Sequence, residues 1–171
     1  METKQIADSR VGLLITLYDM HTTFYSNVID GISDKDAHNR LNTKANHVAW
    51  IAGSIVHERF ELAYAIGVNK KDISENRASS GLFKDHQGIQ DNVSYPSLAD
   101  YRKDWGLITP VLRDQLLSLS DDQLNGPDPF EMPGENTLFD AITFLIDRES
   151  YCIGQIGLYR RLLGYEAMKY Q

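Results

Sequence analysis

Apolar residues recur close to the helical period in four stretches of the chain, and no stretch shows the strict alternation of a half-buried strand. In the first stretch Ile6, Val11, Leu14, Leu17, Tyr18, His21, Phe24, Tyr25 and Val28 predict a helix from about residue 4 to residue 29, stopped near Gly31. Ser33 followed by Asp34 and Asp36 has the form of an N-cap with an acidic first turn, so a short helical turn is expected there. A second long helix is predicted from about Lys44 to Ile66, ending at Gly67. Val48, Ala52, Ile55, Leu62 and Ile66 make one of its faces, and Trp50, Ser54, His57 and Glu61 make another. Few positions are left simply solvated, which makes this helix central.

From Gly67 to Ser97 periodicity is lost. Connections of that length usually either cover a site or carry disorder, and Leu82, Phe83, Ile89, Val93 and Tyr95 supply side chains for packing. Ser97 and Asp100 then predict a capping-box start to a third helix that continues to about Leu119. Pro110 lies inside it and is expected to kink the helix or break it at Thr109, because proline lacks the donor and crowds the preceding turn. The segment SDDQLNGPDPFEMPGEN reads as a loop opened by one helical turn at Asp121 to Leu124. A fourth helix is predicted from Asn136 to Gly164, a C′ glycine preceded by Arg160 and Arg161 at the negative end of the helix dipole. The expected fold is therefore all-α: one domain over residues 1–171, a four-helix bundle with a long ordered loop between its second and third helices. That loop has the length for a crossover connection.

Charge narrows the set of partners. Lysine and arginine number 17 against 24 aspartates and glutamates, a formal charge of −7 that repels a phosphate backbone, so nucleic acid is not an expected partner. The polar N-terminus and the lack of a long apolar run predict neither a signal peptide nor a membrane anchor. Cys152 is the single cysteine, so no intramolecular disulfide forms, which fits a reducing, cytoplasmic setting. Serine hydrolase elbows, P-loops and dinucleotide fingerprints do not occur.

The fourth helix carries the candidate chemistry. Leu138, Ile142, Leu145, Cys152, Ile156 and Leu163 project to one side, with Glu149 inside that sector and Arg148 at its edge. Burying either ion without a partner costs several kcal/mol, so both need partners. Four segments, NHVAWIAGSIVHER, LFKDHQGIQDNVSYPS, LSDDQL and ESYCIGQIGLYRRLLG, in this order and spacing, resemble the DinB-like (DinB/YfiT) superfamily of bacterial four-helix bundles over roughly residues 10–165. The resemblance implies a divalent-metal site of three histidines, one in the second helix and two in the fourth. In this chain those places look like Ser54, Arg148 and Cys152, with Trp50, Glu58, Glu149, Tyr151 and Gln155 as pocket neighbours. All three histidines are absent. Serine is a poor ligand for zinc or nickel, arginine is none, and one thiolate cannot hold the ion alone.

Active members of the superfamily, the resemblance implies, are thiol-dependent transferases and isomerases whose metal lowers the pKa of a small thiol. Two readings follow for this chain. The first is a non-catalytic or ligand-binding bundle with no cofactor, with Arg148 either binding a small anionic ligand or closing an internal ion pair with Glu58 or another carboxylate. A homodimer joined through helix faces is expected with it. The alternative is a transferase-like enzyme that uses Cys152, activated by Arg148, or a zinc or nickel ion relocated to His57 and Glu61. His21 and His47 lie on neighbouring helical stretches, while His38 and His86 belong to loops with no evident assembly.

Overall fold

A computed structural model of the chain describes residues 10–73, 81–83 and 87–171. Within them the regular elements are helical: α1 (Arg10–Val28), α2 (Asp34–Ala37), α3 (Val48–Ala65), α4 (Leu98–Leu117), α5 (Asp121–Leu124) and α6 (Leu138–Leu162), with one 3₁₀ turn at Lys70–Asp72. Among the described residues the sole β-type pairing is an isolated bridge between Pro127 and Thr137. No described helix is long and apolar enough to cross a membrane. Ile6 and the expected start of the first helix lie outside the described residues, as does His86.

Local side-chain chemistry sets the ends of these helices. Ser97 accepts from the Asp100 backbone N–H, and the Asp100 carboxylate accepts from Ser97 N–H in return, which closes the expected capping box. Thr137 and Asp140 repeat the device at the start of α6, two residues later than the expected start at Asn136. α3 begins at Val48 rather than Lys44, because the N-cap is His47, whose Nδ1 accepts from Trp50 N–H at 3.0 Å. Burial, then the nearby His38, lowers the His47 pKa to about 4, which keeps that nitrogen free to accept. Gly164 follows the end of α6 at φ +89°, the left-handed conformation that glycine adopts without a Cβ penalty. α4 runs unbroken through Pro110, contrary to the expected break. Pro110 and Gly106 are both exposed, so the Gly106 carbonyl that loses its helical donor lies on the solvent side.

α1 packs against α4 and α6, and α3 packs against the same two, so α1 and α3 lie across from each other. Contacts fix the directions. Gly53 faces Tyr101, Arg59 bonds Thr109 and the Ile66 carbonyl accepts from Gln115, so α3 and α4 run the same way. Likewise His21 lies by Glu149 and Val28 by Gly157, so α1 and α6 are parallel. In contrast, Asp19 pairs with Arg113 while Trp105 bonds the Thr22 carbonyl, which makes α1 and α4 antiparallel. Parallel neighbours need a return path along their length, which is what the long α3–α4 connection provides. The core is continuous across these helices, with Ile15, Tyr25, Ile55, Phe60, Tyr101, Ile108, Leu112 and Ile156 among its most buried members. At the α3–α4 contact glycine is required at position 53, since a Cβ there would collide with the Tyr101 ring.

Candidate functional site

The apolar stripe of α3 runs 48, 52, 55, 62, 66, alternating steps of four and three except for one gap. Position 59 fills that gap, and it is an arginine. On α6 the corresponding stripe is interrupted at Glu149. The two ions meet in the core, with Arg59 2 % and Glu149 4 % exposed. Arg59 Nε donates to Glu149 Oε1 at 2.5 Å and Nη2 donates to Oε2 at 2.9 Å, the bidentate geometry that favours arginine for carboxylate pairing. Arg59 Nη1 donates to Thr22 Oγ1 at 3.0 Å and to Thr109 Oγ1 at 2.8 Å. The guanidinium carbon also lies over the rings of Tyr18 and Trp105, at 3.8 and 3.5 Å from their centroids. One side chain of α3 thus touches α1, α4 and α6.

Burial would raise the Glu149 pKa, but the charge and hydrogen bonds of Arg59, aided by His21 at 3.5 Å, reverse this and hold it below the usual carboxylate range. The carboxylate stays ionised. Arg59 was not singled out as a candidate in the sequence; the heptad gap at 59 is the signal that marks it. Glu149, expected as a pocket neighbour, is bound to Arg59.

One residue earlier on both helices the charges reverse. Arg148 Nη1 donates to Glu58 Oε2 in a very short ion pair, and Arg148 Nη2 lies 3.5 Å from Ser54 Oγ. Ser54 in turn donates to the Ile51 carbonyl at 2.9 Å. The internal pair expected for Arg148 is thus formed with Glu58. Cys152 stands one turn beyond Arg148 and is buried. Burial pushes its thiol up to about 11; Arg148 pulls the other way, and Glu58 and Glu149 add to the rise. A cation beside a cysteine does not here yield a thiolate at neutral pH.

Of the other expected neighbours, Trp50 is half-buried with its ring edge-on to Phe83 at 5.6 Å, and its buried Nε1 has no hydrogen-bond partner among the described residues. Gln155 is half-buried, whereas Tyr151 is 68 % exposed. Beside the two ion pairs the remaining cavity, lined by Glu58, Arg59, Leu145 and Glu149, measures about 10 Å³, roughly one water's space.

The residues at the three places assigned to metal ligands do not fit a divalent ion: they offer a hydroxyl already bonded to a carbonyl, a guanidinium and a thiol held protonated. His57 Nδ1 and Glu61 Oε1, the alternative pair, are 3.9 Å apart at the i, i+4 spacing, under the Phe83 ring. Among the described residues no group of three or more histidine, cysteine, aspartate or glutamate side chains gathers as a ligand set. His47 is committed to its helix cap, and His38 spans the Asp34 and Tyr95 carbonyls at 2.7 and 3.0 Å. In comparisons with known proteins, no family model and no curated sequence matches the chain.

Two outcomes are expected. Arg59→Met should destabilise the fold by about 3–5 kcal/mol in denaturant unfolding, because it orphans a buried carboxylate, whereas Arg59→Met with Glu149→Leu should recover most of that loss. For Glu58, burial raises the carboxyl to about 7 against the pull of Arg148. A raised acid favours folding only while protonated, so wild type should lose stability relative to Glu58→Gln as pH climbs from about 4.5 to about 7, then level off. Urea titrations of both proteins across that range measure the difference.

Proposed function

We propose that this chain is a DinB-like four-helix bundle whose metal centre has given way to an ion pair, and that it acts without metal-thiol catalysis, as a homodimer. The observation that carries this reading is the Arg148–Glu58 pair, with Ser54 against it, at the positions that the resemblance assigns to ligands. Catalysis of the transferase type needs a Lewis acid or an activated sulfur, and neither is favoured by these side chains. A small anion reaches Arg148 only by replacing Glu58, an exchange that protonation of Glu58 assists.

Two measurements test the reading. Protein purified without an affinity tag should hold well under one tightly bound zinc or nickel per chain, and the combined Ser54→His, Arg148→His and Cys152→His variant should gain stoichiometric metal. Stoichiometric metal in wild type overturns the loss of the centre; a triple variant that folds without gaining metal overturns the assignment of those three positions. Separately, native Cys152 should resist alkylation at neutral pH and react promptly once the chain is unfolded. Fast native modification would favour the sulfur-based enzyme instead.

A further inference from the structure

The solvent side of α6 carries a pattern that nothing within one copy of the chain uses. Gly154 is exposed in the middle of this helix, and a Cβ built on it meets no atom within 4 Å. A helix interior disfavours glycine and nothing in this copy packs on the residue, which leaves room there for another backbone to approach closely. The exposed residues around Gly154 are arranged as a palindrome of chemistry. Asp147 and Arg161 stand seven residues before and seven after it, on one stripe because seven residues make nearly two turns. Both are exposed, and neither has an ionic partner among the described residues. Along one flank of the stripe Phe144, Tyr151, Leu158 and Leu162 are 52, 68, 60 and 61 % exposed. Tyr151 with Leu158, and Phe144 with Leu162, are again spaced about nearly the same centre. Along the other flank stand two small residues about nearly that centre, Ser150, which is exposed, and Gly157, which is half-buried beside Val28.

A two-fold axis through Gly154 exchanges positions that are equally far before and after it, which is what an isologous contact requires. In an antiparallel helix pair each flank also meets the same flank of its partner, so Tyr151 falls against Leu158 and Ser150 against Gly157. From this geometry we infer that α6 crosses α6 of a second copy antiparallel at Gly154, with Asp147 of each copy paired to Arg161 of the other. An unrelated partner would have no need of such symmetry, and self-pairing cancels the opposite charges twice over. The inference deepens the homodimer reading by assigning its surface.

Sedimentation velocity of the full chain over a micromolar concentration series tests it. Wild type should dimerise. Asp147→Arg alone, or Arg161→Asp alone, brings like charges together at both ends of the crossing and should raise the dissociation constant about tenfold or more. The double variant Asp147→Arg with Arg161→Asp restores both pairs and should restore the dimer, while circular dichroism stays unchanged in all three because the positions are exposed. A dimer whose dissociation constant ignores the single variants, or single-variant losses that the double variant does not repair, overturns this surface and leaves the homodimer to another face. A wild type that stays monomeric throughout overturns both.

Discussion

The constraint on which the rest of the structure depends is the burial of Arg59. A guanidinium cannot shed its charge, so a fold that places one in its centre must supply an anion and acceptors at fixed positions. Here the anion comes from α6, the hydroxyl acceptors from α1 and α4, and the rings that cover its faces from the same two helices. α1 and α3 sit across from each other, and Arg59 reaches over that diagonal. Sliding any one of the four long helices by a residue would leave a charge or hydroxyl unmatched in the core. The ion pair thus sets register more than it adds net stability, since two apolar residues of the same volume would fill the space at least as well.

The same constraint extends to the edge of the core. On α3 the order is Glu58–Arg59 and on α6 it is Arg148–Glu149, so consecutive residues pair across the helices with opposite polarity. Successive helical residues point about 100° apart, which aims one pair into the core and leaves the other half-buried at the margin. Once Arg59 and Glu149 are joined, Arg148 and Glu58 are brought within reach with little further ordering of the backbone. Their shared position in the helical register explains why Arg148 finds Glu58 as its partner. It also leaves Ser54 and Cys152 as lining rather than as donors.

Much of this was legible in the sequence. Helical periodicity, the Ser97–Asp100 box and the glycine ends located the four long helices, because capping and amphipathicity are local properties. The rule that buried ions must be matched also asked for a partner to Arg148, with Glu58 among the candidates. Arg59 stayed hidden because HER in isolation looks like a charged, solvated turn of helix; its burial appears only when position 59 is aligned with the heptad on both sides. The helix passes Pro110 without the break for a related reason, as the exposure of Gly106 and Pro110 is a tertiary property that a one-residue rule does not contain. Tyr151 was drawn to the pocket by its neighbours in sequence, whereas its ring is left largely to solvent on the flank of α6.

The two ion pairs differ in what a change of conditions does to them. Glu149 is held ionised by a partner from which it cannot be separated without unpacking all four long helices, so the core pair responds to acid only together with the fold. Glu58 is held near neutrality by burial, so protonation can release Arg148 while Arg59 and Glu149 keep the helices in register. Stability and adjustability are therefore separated by a single residue step along each helix. At the marginal pair, unlike at Arg59 and Glu149, a charge can change hands without dismantling the core.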